Sequence, residues 1–353
     1  MARLNAAHAH EFGVIRELCY RGLDSVTLRD RVGDRLARRL GASSYCFGAT
    51  DPRTALPVHS VSVGLDPAAT DRFFCLVLTT PSLDFGPWID SGRRAATLEQ
   101  LVEDVEADPY VTDILRPSGL GPEVQVACAA GGWSWGHLCL RRDLHGAPFA
   151  GHEVRFLDAL APHLTAGLRA AARRAPTAAA QDPSCGVVVL GPDGRVEVAN
   201  GVAERLFRQP ISGTRHSFLT AVNLVAARLE RLLTGGADDA VPSLTMADEA
   251  TGVVYRLRAE RTVGADGRAR GVVLIEPTSS SGPDDQLLAL ARCGLSQREG
   301  EVALAIVRGK TTAEIAEDLV VSAHTVADHV RNIFDKLGVA SRQQLAFRVV
   351  GIG

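Results

Sequence analysis

Apolar residues recur at helical spacing in two places in the first half of the chain. Leu28, Val32, Leu36 and Leu40 share one face of "LRDRVGDRLARRLG", which Gly41 stops. Val154, Leu157, Leu160, Ala161, Leu164 and Leu168 share one face of "FAGHEVRFLDALAPHLTAGLRAAARR". Between these predicted helices lie strand-like runs: "SSYCFGAT", "HSVSVGL", "RFFCLVLTT", "EVQVACAA" and "WSWGHLCLRR". Helices flanking an antiparallel set of strands predict an α+β domain. A second block opens with "CGVVVLGPDGRVEVANGVAERLF". It predicts a strand over 187–190, a turn over 191–194, a strand over 195–199 and a helix from Asn200. "GVVYRLRAERTV" and "RARGVVLIEP" predict two further strands around an Asp266-Gly267 turn. Two stretches without apolar periodicity, "APTAAAQDP" (175–183) and "EPTSSSGPDD" (276–285), separate three blocks.

The third block reads as all helix, with clear punctuation. Ser296 to Glu299 is S-x-x-E, Thr311 to Glu314 is T-x-x-E and Ser341 to Gln344 is S-x-x-Q. Each is a capping box, in which side chains satisfy the orphan N–H groups of a helix start. Gly309 and Gly338 follow helix ends, where glycine adopts positive φ at least cost. Four helices are predicted, at about 297–308, 312–319, 323–337 and 342–349. Only Val320, Val321 and Ser322 join the second to the third, which makes a helix-turn-helix unit, with small Ala316 where the two helices meet. Val326, Val330, Ile333, Phe334 and Leu337 form the apolar face of the third helix. His324, Asp328, Arg331, Asn332 and Asp335 form the opposite face, with Thr325 and Ala327 at its edges.

A length of 353 residues predicts two or three domains. At 46% hydrophobic and 22% charged residues, the chain has enough apolar material for real cores. It has no long uninterrupted apolar window, so neither a membrane span nor a signal peptide is expected. Seven scattered cysteines without a C-x-x-C pair argue against a disulfide framework or a zinc site, and they fit a reducing cytoplasm. The net charge of −3 does not by itself announce a nucleic-acid partner. Both lysines, Lys310 and Lys336, nevertheless lie in the last block, which is near neutral and slightly basic.

"LSQREGEV", Gly309, "AEIAEDL", "VSAHTVADHV", "KLGV" and "SRQQL" together resemble the LuxR-type DNA-binding domain over about the last 60 residues. The resemblance implies that the third helix lies in the major groove and that the fourth supports a homodimer. It implies that Thr325, Ala327, Asp328 and Arg331 point to bases or their edges. Lys310, Thr311, Thr312, Ser322 and Arg342 would then stand at phosphates, and His324 and Lys336 complete the candidate DNA-binding set. Many family members carry lysine where this chain has Ala327, a departure that leaves the preferred site sequence open. The last strand of the first block and "PFAGHEVRFLDALAPHL" resemble a GAF domain. The strand–hairpin–helix–hairpin of the second block resembles a PAS domain. Both families hold small ligands or protein partners, and the fold does not fix which.

"GWSWG" (132–136) matches G-x-S-x-G, but an alternating strand follows it instead of the helix a nucleophile elbow needs, so Ser134 reads as a strand residue. His137 has no companion at metal-ligand spacing. No acidic pair follows a first strand, as a phosphate receiver would require. His216 as a haem ligand and Cys185 as a flavin attachment lack surrounding motifs. Trp133, Trp135, Phe73, Phe74 and Trp88 could line a cavity, and a core is the preferred reading. The resulting expectation is a multi-domain α+β protein. It has a GAF-like domain (1–174), a linker (175–183), a PAS-like domain (184–277), a linker (278–288) and an all-α four-helix LuxR-type helix-turn-helix domain (289–353). It would be a cytoplasmic, non-enzymatic transcription regulator without a cofactor, answering a small molecule or protein signal. It would bind duplex DNA as a homodimer, with RNA polymerase as a further candidate partner. An adaptor whose last helices bind protein is the alternative from another class. Asp328 stands out: it can accept from a cytosine amino group or hold Arg331 in one pose.

Overall fold

The computed structural model describes residues 6–66, 69, 72, 73, 76, 80, 92–174, 184–208, 218–234, 242–247, 253–278 and 283–350. The first domain holds α1 (Ala6–Tyr20), α2 (Ser25–Leu40), β1 (Ser44–Thr50), β2 (Pro57–Val63), β3 (Ala95–Thr97), β4 (Leu120–Ala130), β5 (Trp133–Asp143) and α3 (Gly151–Arg174). Its antiparallel sheet runs β2-β1-β5-β4-β3. Helix α2 starts because Asp24 accepts from the Thr27 amide, and it ends at left-handed Gly41. The predicted apolar stripes of α2 and α3 are buried against Tyr45, Phe47, Val124, Val126, Leu138 and Leu140. Burial of such stripes is the main favourable term in this domain.

The opposite face of this sheet carries charge in the interior. Arg141 and Glu123 form an ion pair at 2.6 Å, and the Tyr110 hydroxyl accepts from Arg141 Nε at 2.8 Å. Gln125 donates to Glu123 at 2.6 Å. His137 lies beside this group. Burial first, then the Arg141 and Arg29 charges, push its imidazole down to about 4. Gly48 is required here, because a Cβ would sit 2.4 Å from the His137 ring.

The second domain holds β6 (Gly186–Leu190), β7 (Val196–Ala199), α4 (Gly201–Phe207), α5 (Phe218–Leu233), β8 (Ser243–Ala247), β9 (Val254–Val263) and β10 (Ala269–Pro277). Its antiparallel sheet runs β7-β6-β10-β9-β8. Counted within each domain, both sheets have the order 2-1-5-4-3. Asn200 caps α4 through the Ala203 amide, and its side-chain nitrogen donates to the Cys185 carbonyl. The two domains touch. The Asp51 carboxylate accepts from the Thr245 amide at 2.6 Å, and Arg228 donates to the Thr54 carbonyl at 2.7 Å.

Several expectations need correction. The run "RFFCLVLTT" is not a strand where it is described: Arg72, Phe73 and Leu76 are helical. Helices α1 and α5 have no counterpart among the inferred elements. Helix α6 (Pro283–Arg292) lies largely within the segment read as the second linker. Trp133, Trp135 and Phe73 are core residues, whereas Phe74, Trp88 and His216 lie outside the described residues. Among the described residues no helix is long and apolar enough to cross a membrane.

Candidate DNA-reading site

The last domain continues with α7 (Gln297–Val307), α8 (Thr312–Asp318), α9 (Ala323–Leu337) and α10 (Arg342–Val350). Both acidic capping boxes form, Ser296 with Glu299 and Thr311 with Glu314. The third is a variant: Ser341 caps the Gln344 amide, but the Gln344 side chain accepts from the Ala340 amide. Gly338 ends α9 in the left-handed conformation, and Gly309 also has positive φ. Val326, Ile333 and Leu337 are buried, and Val330 and Phe334 pack around them, so the apolar face of α9 is fixed on α7 and α8.

That anchoring leaves the other face of α9 in solvent. His324, Ala327, Arg331, Asn332 and Asp335 are exposed, and Thr325 and Asp328 are partly so. Ser322 starts the helix by accepting from the Thr325 amide at 3.0 Å, and the two hydroxyls are 2.8 Å apart. Arg331 donates to Asp328 at 3.0 Å, one turn along the face. His324 Nε2 stands 3.6 Å from the other Asp328 oxygen. A helix of 15 residues with an exposed polar face fits the width of a major groove.

Around the start of α8 the basic groups converge. Arg342 donates to the Lys310 carbonyl at 3.0 Å and to the Thr312 hydroxyl at 2.7 Å. Lys310 pairs with Asp318 at the surface. Thr311 is held by Glu314, whose carboxyl lies below its ordinary range because the Thr311 amide and hydroxyl donate to it. Lys336 points elsewhere: its ammonium contacts both oxygens of Glu299, at 2.8 and 2.6 Å.

The family model "Bacterial regulatory proteins, luxR family" matches residues 294–349. The spore germination protein GerE of Bacillus subtilis (strain 168) is 42% identical over 59 residues, 17% of this chain and 80% of that protein. The chain belongs to the luxR family of bacterial regulatory proteins. Two other relatives are covered over a smaller share of their length. The transcriptional regulatory protein LiaR of Bacillus subtilis (strain 168) is 43% identical over 58 residues, 16% of this chain and 28% of that protein. The regulator MalT of Serratia proteamaculans (strain 568) is 46% identical over 50 residues, 14% of this chain and 6% of that protein. Among solved structures, Escherichia coli SdiA is 14% identical and covers 97% of this chain and 98% of its own, at a TM-score of 0.34. Vibrio cholerae VqmA is 16% identical and covers 48% and 83%, at a TM-score of 0.20.

In this LuxR-family regulator the helix-turn-helix is a DNA-binding element, and the family is one of transcription regulators, not enzymes. The structure groups Lys310, Thr311, Thr312 and Arg342 at the start of α8, and Ser322, His324, Thr325, Ala327, Asp328 and Arg331 along α9. It sets Lys336 apart from both groups. Sequence reasoning missed the partner of Lys336, because Glu299 is 37 residues away and already occupied as a capping residue. It also missed Arg298, which donates to the Leu319 carbonyl at the end of α8 and ties α7 to the turn. Ser134 lies inside β5, buried, with its hydroxyl 3.0 Å from that of Thr50. Cys185 donates its thiol hydrogen to the adjacent Gly186 carbonyl.

Proposed function

We propose that this LuxR-family regulator reads duplex DNA through the exposed face of α9, under the control of two sensor domains. Thr325, Ala327, Asp328 and Arg331 reach base edges, while Lys310, Thr311, Thr312, Ser322, His324 and Arg342 meet phosphates. The carrying observation is the Asp328–Arg331 contact on an otherwise uncovered helix face. A guanidinium held in one pose by a neighbouring carboxylate suits bidentate recognition of guanine, and the second carboxylate oxygen can accept from a cytosine amino group. The Lys310–Asp318 pair is 41% and 44% exposed, so it is weak enough for a phosphate to take over the ammonium. Lys336 acts instead as a brace between α9 and α7.

The first domain is GAF-like and the second PAS-like, a reading supported by the shared 2-1-5-4-3 order of their sheets. They answer a small molecule or a protein signal. The regulator works as a cytoplasmic homodimer on paired half-sites, and Phe347, 73% exposed on α10, is the apolar residue that supports pairing there. RNA polymerase is the further partner through which binding would act on transcription. Selection of bound duplexes from a random pool tests this function. Enrichment of a two-part motif is expected, and recovery of no motif would refute it.

A further inference from the structure

The turn between β4 and β5 reaches out of the first domain and completes the DNA-reading domain. Gly131 and Gly132 have φ of +61° and +81°, the conformation of a tight two-residue hairpin turn. The Gly131 carbonyl accepts from the Gln297 amide at 2.9 Å. That amide is the first of helix α7, a donor with no partner inside its own helix. Trp133, buried in the first domain's core, donates its indole N–H to the Leu295 carbonyl at 3.1 Å. On the same side Ala291 of α6 is buried in that core, with Leu287 packed against it. The approach is close: a Cβ on Gly131 would lie 2.9 Å from the Ser296 Cα and Cβ.

From this contact a short chain of bonds leads to the groove helix. Gln297 follows Ser296, the Ser296 amide donates to Glu299 at 2.7 Å, and Glu299 holds Lys336 in the last turn of α9. The exposed face of α9 remains uncovered, so the contact does not block DNA. It fixes the direction in which the helix is presented.

We infer that the β4–β5 hairpin is a rigid joint that orients the helix-turn-helix on the sensor domains and thereby sets the half-site spacing the dimer selects. This rests on the homodimeric DNA-reading function proposed above, with the sensor domains of the two copies paired as well as α10. Two rigidly carried helices meet two half-sites only at a matching separation, whereas domains joined only through the chain tolerate many separations. Gly131 and Trp133 are thus positioning residues for operator choice, though neither touches DNA.

The test uses the full chain and duplexes whose selected half-sites are moved apart one base pair at a time through a helical turn. Wild type should favour one spacing by about tenfold or more over a spacing half a turn away. Gly131→Asn creates Asn-Gly, the preferred pair for this turn, so the hairpin is kept while the new Cβ strikes Ser296. In that variant the preference should fall to about threefold or less, with affinity for a single half-site unchanged. Trp133→Phe, which loses the indole bond and some core packing while leaving Gly131 in place, should fall between the two. Hydrogen exchange at the Gln297 amide reports the joint and should accelerate in Gly131→Asn. An unaltered spacing profile with accelerated exchange would overturn the inference, and so would retained protection of Gln297 in that variant. A wild type that binds one half-site as tightly as two would instead remove the homodimer reading beneath it.

Discussion

Lys336→Met removes one of only two lysines in the chain, and the two possible roles of this residue predict opposite results. A lysine that grips phosphate releases counterions, so its loss would lower the slope of log affinity against log salt by about 0.9. The structure instead places the ammonium 2.6 Å from Glu299, with the lysine 41% exposed and the carboxylate 5% exposed. Discounted for solvent at the lysine, such a pair contributes about 1 kcal/mol. For a domain of this size that is a fall of about 4–8 °C in Tm. The capping bond from the Ser296 amide to Glu299 survives the change, which bounds the loss. Burial opposes ionisation of Glu299, but the Lys336 and Ser296 hydrogen bonds outweigh it and hold the carboxyl below its ordinary range. The carboxylate's contribution is therefore present above the ordinary carboxylate pKa and is lost as pH falls through the lowered one. The Lys336→Met penalty should vanish in acid accordingly. Calorimetry of the full chain reads the stability, and anisotropy titrations between about 50 and 200 mM salt read the slope, with Arg342→Met as the phosphate-contact comparison. A slope lowered by nearly one in Lys336→Met, with Tm unchanged, would refute the brace.

Asp328→Ala should change which bases are enriched next to the Arg331 contact more than it lowers overall affinity, because the pair it breaks is exposed; an unchanged preference profile in a selection experiment counts against this role. Val320 sits in the helix-turn-helix turn at φ 51° and is 91% exposed, so Val320→Asn should raise stability by about 0.5–1 kcal/mol; a fall in Tm contradicts the strain argument. His137 is buried in its neutral form with a pKa lowered from 6.5 to about 4. The unfolded chain therefore takes up this proton first, and the stability of the first domain falls as pH drops through that window, by about 3 kcal/mol in all. His137→Gln should flatten this slope in denaturation curves taken across the window, and an equally steep slope in the variant would show that other groups carry it.

The last domain was the most legible part of the chain, because its helices are marked by local chemistry. Ser296, Thr311 and Gly338 act within a few residues of their positions, so their pattern in the sequence is their role in the structure. Strand β9 was legible because apolar and polar residues alternate along it, and β10 because a short apolar run follows the Asp266-Gly267 turn. Alternation fails for "RFFCLVLTT", a continuous apolar run with no period to separate strand from helix. Arg29, Glu123 and Arg141 were invisible as interior residues, since charge in a sequence suggests surface, and only the fold brings Glu123 and Arg141 together across β4 and β5. At the candidate site, the face of α9 followed from helical spacing alone. The destination of Lys336 and the hairpin contact through Gly131 depend on residues far apart in the chain, and no local pattern encodes them.

Reading of DNA sequence by α9 is tested by selection of bound duplexes from a random pool by the full chain and by Arg331→Ala. Wild type should enrich a defined motif, and Arg331→Ala should lose selectivity at one position of each half-site while still binding duplex. Enrichment of no duplex by wild type, or an identical motif from both proteins, would contradict it.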